Sequence, residues 1–71
     1  MYEPNTIKVM AFNIGRELKR EEWFNMSAIE AQEWCEKKAL QRGIKHSPVR
    51  TAIALMAMHF VCTQTEIEKI K

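Results

Sequence analysis

The sequence predicts a small all-α domain of three helices, over about residues 6–24, 28–42 and 48–62, with the third helix either ending at 62 or continuing to 70. Two observations predict this class. Apolar residues recur at spacings of three and four along most of the chain, and residues 52–62 are apolar except for His59. A length of 71 residues allows one domain, so residues 1–71 are expected to form a single helical unit.

An apolar stripe predicts the first helix. Its members are Ile7, Met10, Ala11, Ile14 and Leu18. Residues three and four apart lie on one side of a helix, so this stripe predicts a buried face. A strand over residues 7–14 is the alternative, but the alternation of apolar and polar residues there is poor. Gly15 lies inside the predicted helix, where glycine costs about 1 kcal/mol relative to alanine.

A capping box predicts the start of the second helix. Ser27 is followed three residues later by Glu30, so the serine hydroxyl can accept from the Glu30 N–H while the glutamate accepts from the Ser27 N–H. A narrow stripe of small residues then indicates close packing against a neighbouring helix: Ala28, Ala31, Cys35 and Ala39. Gly43 is placed where a left-handed residue follows a helix, which predicts the helix end near residue 42.

The third helix is the most apolar segment, and the others are expected to pack around it. Ser47 and Pro48 are predicted as its cap and first residue. One face carries Val49, Ala52, Ile53, Met56 and Phe60, and the opposite face carries Ala54, Leu55, Ala57, Met58, Val61 and Cys62. A helix that is apolar all round is buried all round or crosses a membrane. The apolar run of 11 residues is shorter than a bilayer span, which needs about 20, so no membrane insertion is expected.

Two companion helices from one short chain do not surround such a helix, so the sequence predicts a homodimer or a docking site for another protein. The expected contacts are Leu55, Met58 and Val61, joined by Phe12 and Trp23 on the far side of the first helix. Phe12 and Trp23 fit equally well as scattered surface residues. A monomer that exposes alanine and methionine is the alternative.

The composition favours a reduced, cytoplasmic protein. Cys35 and Cys62 lack CxxC spacing and are expected to be small buried hydrophobes with free thiols. The first residues, MYEPNT, contain neither a basic segment nor an apolar one, so no signal peptide is expected. The formal net charge of +2 neither requires nor excludes a nucleic-acid partner.

No catalytic set, metal site or cofactor motif is predicted. The two glycines are far apart, so there is no glycine-rich phosphate loop. No Cys/His cluster has metal-ligand spacing. His46 and Ser47 are adjacent without forming a dyad, and His59 is interpreted as a core residue. An enzyme is therefore not expected.

A basic corner is the one cluster with a specific chemistry. Within residues 37–50, which contain no acidic residue, lie Lys37, Lys38, Arg42, Lys45, His46 and Arg50. They gather near the start of the third helix, where Ser47 and free backbone N–H groups attract an anion. Arg50 offers a bidentate contact to phosphate or carboxylate. The alternative explanation is helix-end electrostatics, because the three cations of 37–42 complement a helix C-terminus.

The arrangement around this corner resembles the ribbon-helix-helix DNA-binding proteins. Residues 23–26 match the strand of that family, 27–42 its first helix, 43–47 the turn, and 48–62 its second helix. The resemblance implies an obligate dimer with an interwoven core and a short strand near 22–26. It also implies that Asn25 contacts bases and that Ser47 and Arg50 hold the DNA backbone.

Two functions follow as expectations. The first is a non-enzymatic binding or regulatory protein, an inhibitor or adaptor, that docks on another macromolecule through its apolar central helix. The second is a dimeric DNA-binding transcriptional regulator that uses the basic corner. Salt-sensitive retention on DNA would favour the second, because phosphate contacts weaken steeply with salt.

Overall fold

The described part of the chain forms four helices. The computed structural model describes residues 3–70, and side chains over residues 3–64. The helices are α1 (Pro4–Glu17), α2 (Arg20–Asn25), α3 (Ala28–Gln41) and α4 (Ser47–Ile70). No residue of 3–70 lies in a strand. The all-α prediction is therefore confirmed, and so is the longer version of the last helix.

The helix predicted over residues 6–24 is two helices. Helix α1 ends at Glu17, and Leu18 and Lys19 are extended, with ψ angles of 111° and 145°. Leu18 is only 5% exposed. Neither Leu18 nor Lys19 is a glycine or proline, and the break coincides with the burial of Leu18. The alternative strand near 22–26 is not seen, because residues 22–25 belong to α2 and Met26 follows as its C-cap.

Helix α4 packs against α1 on one side and α3 on another, while α1 and α3 touch each other less. The core between them consists of Ala11, Ile14, Cys35, Ala39, Ile44, Ile53, Ala54 and Ala57. Half of these residues are alanines, so the helix axes approach closely. The small-residue stripe predicted on α3 is buried at Ala31, Cys35 and Ala39, whereas Ala28 is exposed.

Gly15 makes the contact between α1 and α4 close. A Cβ at this position would lie 3.2 Å from the backbone oxygen of Ala57 and 3.5 Å from Cγ2 of Val61. Glycine therefore costs helix propensity in α1 but allows the backbone of α1 to pack directly on α4.

Both ends of α3 are capped as the sequence predicts. The capping box is present: the Glu30 N–H donates to Ser27 Oγ at 3.2 Å and the Ser27 N–H donates to Glu30 Oε1 at 3.3 Å. At the other end Gly43 has a φ of 98°. Its N–H donates to the Leu40 carbonyl, and the N–H of Ile44 donates to the Ala39 carbonyl. This is the Schellman arrangement, and Ile44 is buried beneath it.

The two faces of α4 differ from the predicted ones. Ala54 and Ala57, expected on the outer face, are fully buried within the chain. Ala52, expected to point inward, and His59, expected in the core, are both exposed. The inward side of α4 is broad because two helices share it. Over the residues described, no helix is long and apolar enough to cross a bilayer.

Candidate docking surfaces

One surface is shared by α3 and α4, and we call it the α3–α4 face. A hydrogen bond from Thr51 Oγ1 to Glu36 Oε1, 3.2 Å long, joins the two helices here. On α3 the residues within about 40° of Glu36 on the helical wheel are Ile29, Gln32 and Leu40, and on α4, between Thr51 and the last described side chain, those within about 40° of Thr51 are Leu55, Met58 and Cys62. These eight side chains form the face.

The α3–α4 face is apolar at its outer positions. Ile29 is 71% exposed, Leu55 54% and Leu40 51%. Met58 is half-buried and Cys62 exposed. Isolated exposed leucines are common on protein surfaces, but large apolar side chains grouped on one face indicate a contact site.

The polar groups of this face hydrogen-bond one another. Gln32 Nε2 donates to Glu36 Oε2 at 3.2 Å, while Thr51 donates to the other carboxylate oxygen. Both oxygens of Glu36 therefore have donors from within the chain. A surface whose polar groups are already paired loses less when water is removed from it.

A groove between α1 and α4 is the second apolar surface. It measures about 240 Å³, and its lining includes Phe12, Gly15, Leu18, Phe60 and Val61. The Phe12 and Phe60 rings meet edge to face, with their centroids 5.7 Å apart. The guanidinium of Arg16 lies 5.7 Å from the centroid of the Phe12 ring, at the rim of the groove.

The predicted interface residues fall on both surfaces. Leu55 and Met58 lie on the α3–α4 face, whereas Phe12 and Val61 line the groove. Trp23 is half-buried on α2 and belongs to neither set. Ile29 and Leu40 were not predicted. Both residues border the small-residue stripe of α3, and this position beside the stripe is the sequence feature that could have identified them as interface residues.

Three of the basic-corner residues contact other groups of the chain. Arg50 Nη1 donates to the carbonyls of Lys45 and Ile44 at 2.6 and 3.2 Å. Arg42 pairs with Glu17 at the end of α1, at 2.9 Å. The ammonium of Lys38 lies 5.3 Å from the ring centroid of Trp34. These contacts hold the three cations against other groups of the same chain.

The remaining residues of the basic corner are exposed. They are Lys37, Lys45, His46 and Ser47. Ser47 is the first residue of α4, not its cap, because the His46 carbonyl accepts the N–H groups of both Val49 and Arg50. Asn25, assigned to base contact by the family resemblance, is the last residue of α2.

The two cysteines differ in environment. Both are free. Burial, with a smaller contribution from the charge of Glu36, raises the pKa of the Cys35 thiol to about 11. Cys62, expected to be buried, is exposed. Over the part of the chain described, no three His, Cys, Asp or Glu side chains are grouped to hold a metal ion.

Comparisons with protein-family models, with curated proteins and with solved structures found no match to this chain.

Proposed function

We propose that the protein is a non-enzymatic binding module, an inhibitor or adaptor, that docks on another protein through the α3–α4 face. The observation that carries this is the grouping of Ile29, Leu40 and Leu55, each more than half exposed, on one face of two packed helices. We also propose a cytoplasmic location, supported by the two free thiols.

The composition of the face suits protein contact. Interfaces place apolar side chains at their centre and surround them with paired polar groups. Leu55 lies in the middle of the α4 part of the face, and the Thr51–Glu36–Gln32 hydrogen bonds lie beside it. Met58 adds a flexible side chain that adapts to a partner's shape.

DNA binding through the basic corner has less support. Arg50, the residue expected to hold a phosphate, donates to two carbonyls of its own loop, and Arg42 is paired with Glu17. A guanidinium has five N–H donors, so these bonds restrict the direction from which either arginine can meet a phosphate. The segment that the resemblance assigns to base recognition is helical.

Photo-crosslinking from single positions tests the docking function. A photoreactive phenylalanine derivative is introduced at Leu55 and, as the matched control, at Asn13, an exposed residue of α1 outside the face. In cells that express the protein, we expect a discrete crosslinked product from position 55 and none from position 13. Position 55 giving no product, or the same products as position 13, would contradict the docking function.

The salt dependence of retention on heparin and DNA distinguishes a DNA-binding regulator from a protein-docking module. A DNA-binding regulator is retained on heparin and on duplex DNA with an affinity that falls by orders of magnitude between about 50 and 200 mM salt. We expect weak retention here, unchanged by Arg50→Ala. Strong retention that Arg50→Ala abolishes would instead support DNA binding through the basic corner.

A further inference from the structure

We infer, building on the proposed docking function, that the occupant of the α3–α4 face is a second copy of this chain, packed around a two-fold axis near Leu55.

The amount of exposed surface is the first reason. A folded monomer of 8.4 kDa is expected to expose about 4,600 Å². This chain exposes 5224 Å², an excess of roughly 600 Å² over that scaling. A standard interface covers about 800 Å² on each partner. The excess is of the same order as the area that one partner of a standard interface covers.

The distribution of large apolar side chains is the second reason. Over the described side chains, four leucines and isoleucines are buried: Ile14, Leu18, Ile44 and Ile53. Six large hydrophobic residues are exposed: Val9, Phe12, Phe24, Ile29, Leu40 and Leu55. A buried core of four large side chains and several alanines, with seven partly buried hydrophobic residues packed against it, gives limited stability to a chain of this length, and association is one of the further sources.

The charge of the face is the third reason. Glu36 is the one charged residue among these eight, with the exposed Glu33 at the edge of the face, and both carboxylate oxygens of Glu36 accept hydrogen bonds from Gln32 and Thr51. The face therefore does not need a cation from a chemically different partner. In a symmetric dimer the same patch meets itself, which an apolar surface with internally paired polar groups tolerates.

The position of Leu55 sets the axis. On α4 the face extends from Thr51 to Cys62, with Leu55 and Met58 between them, and on α3 it extends from Ile29 to Leu40. A two-fold axis near Leu55 brings the two Leu55 side chains together and places the exposed isoleucine and leucine of each α3 against the other copy.

Sedimentation equilibrium over a wide concentration range tests the dimer. The wild type is expected to be dimeric, and Leu55→Glu is expected to weaken the dimer at least 100-fold because two carboxylates would meet at the axis. Asn13→Glu adds the same charge outside the face and is expected to leave the mass unchanged. Circular dichroism checks that each variant remains helical.

Glu36→Gln is expected to change the dimer affinity in the opposite direction from Leu55→Glu. Removing the one charge of the face is expected to tighten a homodimer by a few-fold, because two like charges no longer approach each other. A wild type that stays monomeric up to about 1 mM, or a dimer that Leu55→Glu leaves intact, would overturn the second copy as the occupant. If position 55 nevertheless crosslinks to a different protein in cells, the docking function stands and only its partner changes.

Discussion

The two flanks of α4 are both apolar, yet only the α1 flank is closed by direct backbone contact, at Gly15, next to the groove that Phe12 and Phe60 line. On the α1 side, Gly15 lets the backbones approach until a Cβ would lie 3.2 Å from the Ala57 carbonyl. On the α3 side, alanines and Cys35 bring the helices together, but Leu55 at the edge stays 54% exposed. The comparison shows that the angular position of a residue around α4, relative to α1 and α3, decides whether its own chain covers it, since apolar character is the same on both flanks.

Gly15→Leu tests the closed flank and has the largest expected effect apart from that of the buried control at Ile53. A leucine has to displace Val61 and meets the Ala57 backbone, so we expect a loss of about 2 kcal/mol in the free energy of unfolding, as for an overpacked core. Urea unfolding monitored by circular dichroism measures it. Gly15→Ala serves as the control, with a change below about 1 kcal/mol, because its gain in helix propensity offsets a smaller clash. Equal, small effects would mean that the two helices are not in close contact.

The buried thiol on the α3 side predicts a pH dependence of similar size. Cys35 has a pKa of about 11 in the fold against 9.0 for an ordinary thiol. Above pH 9 the unfolded chain therefore loses this proton before the folded chain does, and stability falls as the pH rises from 9 to 11, by roughly 2 kcal/mol. Urea unfolding at a series of pH values measures the slope. The Cys35→Ala variant should lack this part of the slope, and an identical slope in both proteins would contradict the burial.

Arg50→Ala distinguishes a structural arginine from a ligand-binding one. Loss of the hydrogen bonds to the Lys45 and Ile44 carbonyls is expected to cost about 1.5 kcal/mol of stability, since hydrogen bonds to charged groups contribute about that much. Chemical denaturation measures the cost. Lys45→Ala, which removes a neighbouring exposed cation, is expected to change stability by less than about 0.5 kcal/mol. An Arg50→Ala protein as stable as the wild type would leave this arginine available for a ligand.

Gly43→Ala probes the turn that joins α3 to α4. A φ of 98° strains any residue with a Cβ, so a loss of about 1 kcal/mol is expected. Gly43→Asn should lose less, because asparagine adopts left-handed conformations more readily. Thermal unfolding of the two variants gives the order, and the reverse order would argue against the Schellman turn.

Leu55→Ser has the smallest expected effect on folding and tests the α3 flank of α4, where Leu55 is exposed. In a chain dilute enough to be monomeric, replacing an exposed leucine changes the free energy of unfolding by less than about 0.5 kcal/mol. Ile53→Ala, two residues earlier and fully buried, should lose about 3 kcal/mol. A large loss for Leu55→Ser under these dilute conditions would mean that the chain itself covers this flank.

Local signals predicted the parts of the fold that depend on neighbours in sequence. The capping box at Ser27 and Glu30 and the left-handed Gly43 depend on backbone geometry within a few residues, and both are present. The buried small residues of α3 were also predictable, because their spacing fixes one stripe.

Long-range packing explains what the sequence did not reveal. Helical periodicity shows which residues of α4 share a direction, but it does not show where α1 and α3 lie around it, so Ala52 and Ala54 were assigned to the wrong sides. The break after α1 coincides with the tertiary burial of Leu18, and neither Leu18 nor Lys19 is a glycine or proline. The contacts of Arg50 with loop carbonyls depend on the path of the 42–46 turn.

Disulfide trapping at Leu55 tests most directly whether the α3–α4 face meets its own copy. In a Cys62→Ser background, Leu55→Cys is oxidised under mild conditions and compared with Asn13→Cys, while Cys35 stays buried. We expect rapid formation of a covalent dimer from position 55 and little from position 13, because a two-fold axis near Leu55 holds the two thiols together. Equal, slow oxidation at both positions would contradict the account.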